Sequence, residues 1–295
     1  NQMMMEIMGL HLPGSSFVNP YTPLRDQFTA KAASQILKFR ASGDDFRPIG
    51  HVVDEKAIVN AIVGLLATGG STNHTMHLVA IARMAGIIIN WNDFDNLSKI
   101  IPLIARVYPN GPADVNDFQN AGGLQAVISQ LLSHGLLHEE ILTVGDHKGL
   151  GQYKFDVQLE SDELVYAKVP TASRNTDIIS AVDTPFAPIG GIHLMRGNLG
   201  RGISKVSAVS EAHHVVEAPA MVFDDQEEML AAFRKGELER DFVAVIRFQG
   251  PRSNGMPELH KLTPPLGLLQ DKGFKVALLT DGRMSGASGK VPAAI

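Results

Sequence analysis

The chain contains no cysteine among its 295 residues. This absence excludes disulfides, thiolate metal ligands and cysteine nucleophiles formed by these residues. Aromatic side chains are also scarce, at 6% of the sequence with one tryptophan, so the stacking surfaces of a single-strand nucleic-acid binder are missing. The formal net charge of −5 is spread without a basic stripe. We therefore expect no nucleic-acid partner.

Residues 57–82 contain no Asp, Glu, Lys or Arg, so a membrane span has to be considered. The middle of this stretch reads GGSTNH, whose polar groups would be left unpaired in lipid. It therefore predicts two buried helices joined by a polar turn, and no membrane partner. The first residues, NQMMMEIMGLHLPG, show no basic n-region or cleavage site, and we expect a cytoplasmic protein. The sequence has no initiator Met and stops at Ile295 where a helix should continue, so we expect a piece of a longer protein.

The chain is long enough for two domains, and its two halves have different sequence patterns. Residues 1–150 predict helices with short connections, 151–184 an irregular linker, and 185–295 a β-rich domain. The helices are expected at 24–39, 55–70, 74–86, 96–105 and 123–133, with a start at Asp114. The expected strands are GIHLMRG, KVSAV, HHVVEAPAMVF, DFVAVIRF and KVALLT, interrupted by the helix QEEMLAAFRKGEL.

The stretch GGSTNHTMH, residues 69–77, joins two of these helices. A helix start of this kind can present free backbone N–H groups and a positive dipole end, which suit a carboxylate or phosphate. The alternative is a cap between two core helices. His74 and His77 share a helix face and could bind a metal, although a core or substrate-contact role is the better hypothesis because no third ligand is near.

Two further stretches follow expected strands. In QGPRSNGMPELHKL, residues 249–262, Glu258 ends a loop stiffened by glycine and proline, which suits a hard cation such as Mg²⁺. A surface loop with an incidental glutamate is the alternative. In LTDGRMSGASGK, residues 279–290, a glycine-rich turn after a strand favours anion binding. Ser285 could face a ligand there, but no histidine lies close for a hydrolase triad and the P-loop spacing is absent.

Six segments follow one another along the chain: MGLHLPGSSFV, LLATGGSTNHTMHLVAIARMAGI, YPNGPADVNDFQNAGG, RGNLGR, QGPRSNGMPELHKL and LTDGRMSGASGKVPAAI. In this order they resemble the dihydroxy-acid dehydratase/6-phosphogluconate dehydratase family, and its 6-phosphogluconate branch in particular. The segments HTMH, GMPELHKL and SGASGK carry the similarity to that branch.

The resemblance implies an α/β fold: the end of an α/β domain that carries a [4Fe-4S] cluster, then a β-rich, barrel-like domain related to the aconitase swivelling domain. It implies a hydro-lyase that removes water across C2 and C3 of 6-phospho-D-gluconate. Ser285 would be the base and Glu258 a ligand of Mg²⁺ or Mn²⁺, while the cluster cysteines are expected upstream of Asn1. A homodimer is also implied. The residues proposed to bind substrate are Ser71, Thr72, Asn73, His74, Arg283, Ser288 and Lys290.

Two alternatives stay open. One is a dehydratase of the same family acting on an unphosphorylated sugar acid or a dihydroxy acid. The other is a non-catalytic, cysteine-free binding module that keeps the pocket and lacks the cluster.

Overall fold

The first half of the chain is helical. The structure, a computed structural model, describes residues 1–285 and 290–295. Its helices begin where the sequence offers caps: Asp54 accepts a hydrogen bond from the Ala57 N–H at 2.8 Å, and Asp114 accepts from Asp117. The helices are α1 Gln2–Ile7, α2 Pro23–Ile36, α3 Ile49–Val52, α4 Glu55–Ala67, α5 His74–Met84, α6 Trp91–Ser98, α7 Val115–Asn120 and α8 Gly123–Ser133.

The helix predicted at 96–105 is wrong in its position. Helix α6 begins earlier because Asn90 and Asp93 form a capping box, and it ends at Ser98. Pro102 then stands where helix would have to continue, and proline disfavours helix both at its own position and before it. The chain runs extended instead, so that Leu103 pairs with Ala187.

The segment 151–184, predicted to be irregular, contains a hairpin of strands β1 Val157–Glu160 and β2 Glu163–Tyr166. Its two turn residues, Ser161 and Asp162, have φ of 48° and 64°. Positive φ at both central residues is the geometry of a tight hairpin turn. The prediction missed it because Ser-Asp is a weaker turn signal than Asn-Gly.

A six-stranded mixed sheet organises the second half, in the order β3-β4-β8-β7-β6-β5. Strands β5 to β8 run parallel to one another, while β4 runs antiparallel to both β3 and β8. The strands are β3 Ile192–Gly197, β4 Gly200–Lys205, β5 Ala220–Phe223, β6 Phe242–Ile246, β7 Val276–Thr280 and β8 Ala293–Ala294, and the helices are α9 Gln226–Arg234, α10 Pro251–Asn254 and α11 Thr263–Asp271.

The mixed α/β class is therefore confirmed. Barrel-like closure, likeness to a swivelling domain and the domain bounds 1–150, 151–184 and 185–295 stay predictions. Two strand predictions need correction: β4 ends at Lys205, so most of KVSAV follows the strand, and only the last four residues of HHVVEAPAMVF form β5.

A single cluster of buried apolar side chains runs through both halves, with α4 near its centre. Ile58, Ile62 and Leu66 of that helix are each at most 1% exposed. Among residues 1–285 and 290–295, no helix has both the length and the apolar character needed to cross a membrane. The end of α4, and with it the turn that leads into α5, is therefore anchored in the core.

Candidate active site

The loops that follow β6 and β7 meet at the carboxyl edge of the parallel strands. Asp281 accepts a hydrogen bond from the Gln249 N–H at 2.9 Å, which ties the two loops together. The approach is close enough that a Cβ on Gly282 would lie 2.7 Å from the Gln249 Cβ. Ligands commonly gather at such an edge. The strands therefore place the two predicted motifs side by side.

Glu258 and Ser285 are in direct contact within this edge. The Ser285 N–H donates to Glu258 Oε1 at 2.7 Å, and the Leu259 N–H donates to the Arg283 carbonyl at 3.2 Å. Both Glu258 and Ser285 are half-buried. A glutamate and a serine that are 27 residues apart in sequence are thus in contact, through the serine backbone N–H and the carboxylate.

The start of helix α5 completes the site from the first half of the chain. Asn73 Nδ2 donates to Glu258 Oε2 at 3.1 Å, and Thr72 Oγ1 donates to the Met284 carbonyl at 2.8 Å. Ser285 is therefore held at its own N–H by Glu258 and through the preceding carbonyl by Thr72. Backbone position at Ser285 depends on both halves of the chain.

Three backbone N–H groups at this helix start already have partners within the turn, so they are not available to the anion expected for residues 69–77. The Asn73 N–H donates to Ser71 Oγ at 3.2 Å, the His74 N–H to the Ser71 carbonyl at 3.1 Å, and the Thr75 N–H to the Thr72 carbonyl at 2.9 Å. Short-range turns satisfy them instead. The alternative of a cap between two core helices describes this turn better.

His74 is buried at the same turn. Its Nδ1 lies 3.1 Å from the Ser71 carbonyl and its Nε2 lies 2.6 Å from Asn1 Oδ1. Burial lowers the pKa of His74 to about 3, so the ring is neutral near pH 7 and supplies no positive charge to an anion. Its ring packs edge-on to His77 with 5.9 Å between centroids. Across the described residues, no group of three or more His, Asp or Glu side chains is arranged to hold a metal ion.

The remaining predicted substrate-binding residues are dispersed. Arg283 lies beside the site, where its Nε donates to the Met256 carbonyl at 2.9 Å. Lys290 is exposed and forms an ion pair with Asp271 of α11, outside the Glu258–Ser285 contact. Ser288 lies outside the described residues.

Lys205, which the sequence prediction missed, lines a cavity together with Ser285. The cavity has a volume of about 10 Å³ and is also lined by Thr72 and Met284. Lys205 is 9% exposed, and burial lowers the pKa of its ammonium to about 8. The sequence contained a weak signal for this residue. Lys205 is two residues after Ile203, and alternate residues of a strand share a face, so a strand here places a lysine and an isoleucine on the same face.

The oxygen atoms of Glu258 and Asn73 could supply some of the ligands that a hard cation needs, but not all of them. Asn73 Oδ1 is buried with no hydrogen-bond partner, beside the single carboxylate of Glu258. Amide and carboxylate oxygens suit Mg²⁺ or Mn²⁺, but further ligands would have to come from outside this pair. The chain has no cysteine, so an iron–sulfur cluster does not fit these 295 residues and would need thiolates from elsewhere.

The fold and the site together define a mixed α/β protein whose polar site joins two strand-end loops to a helix start. The family model described as dihydroxy-acid/6-phosphogluconate dehydratase N-terminal matches residues 1–152, and its C-terminal counterpart matches residues 177–295. The chain belongs to the dihydroxy-acid/6-phosphogluconate dehydratase family.

Curated relatives belong to the same family as the matching models. The chain is 60% identical over 295 residues to the phosphogluconate dehydratase of Pseudomonas aeruginosa and 55% identical to that of Escherichia coli K12, matching over its whole length. It is 36% identical over 290 residues, 97% of the chain, to the dihydroxy-acid dehydratase of Ignicoccus hospitalis. The matches cover 48%, 49% and 49% of these relatives, so the chain spans about half their length.

Proposed function

We propose that the chain forms part of the active site of a phosphogluconate dehydratase, a hydro-lyase that removes water across C2 and C3 of 6-phospho-D-gluconate. The product is 2-keto-3-deoxy-6-phosphogluconate. One observation carries the proposal: the 2.7 Å contact between Glu258 and Ser285, which unites the two motifs of the resemblance in one site. Identity of 55% and 60% to relatives of that name, against 36% to a dihydroxy-acid dehydratase, supports the phosphorylated substrate.

In this proposal Ser285 Oγ takes the proton from C2. A serine hydroxyl is ordinarily neutral at pH 7, so it becomes a base only where positive charge or hydrogen-bond donors stabilise its anion. Rigid placement is the second requirement, because proton transfer needs hydrogen-bond reach. The bonds from Thr72 to Met284 and from Ser285 to Glu258 restrain the backbone at Ser285, which supports this role.

Glu258 would hold a divalent cation, Mg²⁺ or Mn²⁺, with Asn73 as a neighbouring oxygen donor. When bound, the cation polarises the substrate carboxylate and C2 oxygen and so acidifies the C2 proton. The [4Fe-4S] cluster of the proposed enzyme would be held by cysteines outside these residues. The proposal keeps as substrate contacts Ser71, Thr72, Asn73, His74, Arg283, Ser288 and Lys290, and it extends to a cytoplasmic homodimer with a phosphorylated sugar acid as substrate.

The test is a comparison of turnover by the protein expressed from its native gene, with 6-phospho-D-gluconate, D-gluconate and 2,3-dihydroxy-3-methylbutanoate. We expect kcat/KM to be highest for 6-phospho-D-gluconate. A preference for either other substrate would support the same-family alternative. Binding of 6-phospho-D-gluconate with no turnover of any of the three would support a non-catalytic module.

A further inference from the structure

We propose that Lys205 binds the C1 carboxylate of the sugar acid, in a subsite formed by the cavity beside Ser285. The inference rests on the proposed function and deepens it, since it assigns a binding role to a residue outside the motifs that carry the family resemblance. It starts from a lysine that is only 9% exposed and whose ammonium forms no ion pair with any described residue.

Strand β4 points Lys205 into the cavity. Its Cα is paired with Ile192 of β3, and Lys205 shares a face of β4 with Ile203, which is fully buried. Ser204 points to the opposite face. The cavity is lined by Thr72, Ile203, Lys205, Met284, Ser285, Val291, Ala293 and Ile295. Apart from Lys205, the polar side chains of that set are the hydroxyls of Thr72 and Ser285.

The ammonium is uncompensated. Other lysines of the chain form ion pairs, such as Lys31 with Asp146 and Lys99 with Asp95. No carboxylate among the described residues pairs with Lys205, and no charged group offsets the pKa-lowering effect of its burial. Buried charges in proteins are ordinarily paired, because leaving one unpaired in a low-dielectric interior is costly. A cation kept in such a place therefore indicates an anionic ligand.

Helix α5 adds positive potential from a second direction. Its 11 residues begin at His74, two residues after the Thr72 that lines the cavity. The first backbone N–H groups are already used within the turn, so the helix contributes its dipole more than its donors. A cavity of about 10 Å³ has room for about one water, or for one oxygen of a planar carboxylate.

The position of Ser285 selects the carboxylate over the phosphate. If Ser285 Oγ takes the C2 proton, the anionic group nearest to that proton is the C1 carboxylate, which is bonded to C2. The phosphate on C6 lies four carbon–carbon bonds further along the chain. A subsite that shares a cavity with Ser285 therefore fits the carboxylate end of the substrate.

Three ligands and one variant test this inference. Calorimetric titration of the protein from its native gene would use 6-phospho-D-gluconate, D-gluconate, which keeps only the carboxylate, and D-glucitol 6-phosphate, which keeps only the phosphate. Lys205→Met should weaken binding of the two carboxylates by roughly 10- to 100-fold, the range of a lost charge-assisted hydrogen bond. It should leave D-glucitol 6-phosphate unchanged. Lys235→Met, at an exposed lysine that does not line the cavity, is the matched control.

A second measurement uses the unaltered protein, in case Lys205→Met fails to fold. Acetylation of Lys205 by acetic anhydride, followed by peptide mass spectrometry, should slow in the presence of D-gluconate and not with D-glucitol 6-phosphate. Protection by D-glucitol 6-phosphate alone, or carboxylate affinities that the variant leaves unchanged, would overturn the inference. If the unaltered protein binds none of the three ligands and turns over none of them, the proposed function itself fails.

Discussion

Ser285 is the residue on which the proposed chemistry depends most directly. Replacing it with alanine removes the hydroxyl and leaves the backbone N–H that Glu258 accepts. We expect Ser285→Ala to lower kcat for 6-phospho-D-gluconate by roughly 10²- to 10⁴-fold, the usual contribution of general acid–base catalysis. Substrate affinity, measured by calorimetry, should change little.

An exposed serine of the same half, Ser210, provides the control for that change. Ser210→Ala should retain the kcat of the unaltered protein. A Ser285→Ala enzyme with near-normal kcat would exclude Ser285 as the base, whatever its effect on binding.

A substitution at Glu258 can remove the negative charge while keeping a similar side-chain shape. Glutamine at this position still offers a carbonyl oxygen to the Ser285 N–H but carries no negative charge. We expect Glu258→Gln to raise the Mg²⁺ concentration needed for half-maximal activity by about tenfold or more, because cation affinity follows the number of charged ligands. A cation titration of activity measures this, with Glu237→Gln at an exposed glutamate as control. An unchanged titration would count against Glu258 as a ligand.

At the scale of elements, the sequence predicted the helices whose ends are set by neighbouring residues, such as caps. Helix α8 occupies 123–133 as expected, and α4 begins at its Asp54 cap. Helix α11 was missed because its sequence, TPPLGLLQD, has two prolines and a glycine, which are typical of loops. Prolines are tolerated there because they fall in the first turn, where the N–H groups have no helical partner.

The site was predictable only in its parts. Glu258 and Ser285 were singled out from their loops, but Asn73 is 185 residues from Glu258 in sequence, and only tertiary packing brings the two together. Lys205 was missed because its interest comes from burial without a partner, and burial is a property of the folded sheet.

The hydrogen bond from Thr72 to Met284 joins the start of α5 to the loop after β7 across 212 residues. Valine has nearly the same shape and no donor, so Thr72→Val leaves this bond unmade. We expect the free energy of unfolding to fall by about 1–2 kcal/mol and kcat to fall with it, because Ser285 loses one of its two restraints. Urea denaturation and steady-state kinetics measure the two effects.

The exposed Thr184 gives the matched control for that substitution. Thr184→Val should change neither quantity appreciably. Loss of stability in Thr72→Val with unaltered kcat would show that the bond serves the fold and not the placement of Ser285.

The whole molecule has to assemble before the site exists. Thr72 and Asn73 lie within the residues matched by the N-terminal family model, whereas Lys205, Glu258 and Ser285 lie within the C-terminal match. The contacts that define the site cross between these two stretches, at Thr72–Met284 and Asn73–Glu258. Perturbing the packing between the two stretches should therefore affect activity even where no site residue is changed.

Lys205 links this assembled site to global stability. Burial lowers the pKa of its ammonium from 10.5 to about 8 in the folded protein. Between those two values the unfolded chain binds more protons than the folded chain, so the contribution of Lys205 to the free energy of unfolding rises with pH. Below pH 8 the buried charge is fully destabilising, and above pH 10.5 that effect is gone.

Lys205→Met removes the titrating group and hence this pH dependence. Without ligand, we expect the variant to be more stable than the unaltered protein at pH 7, and that advantage to shrink by about 2–3 kcal/mol on going to pH 10. Urea denaturation at both pH values measures it, and subtracting the two proteins cancels every other titrating group. Lys235→Met should show no such change, because Lys235 is exposed.

A difference between the Lys205→Met and unaltered proteins that stays constant from pH 7 to pH 10 would mean that the ammonium is compensated in the folded protein. The main reason for assigning it an anionic ligand would then be lost.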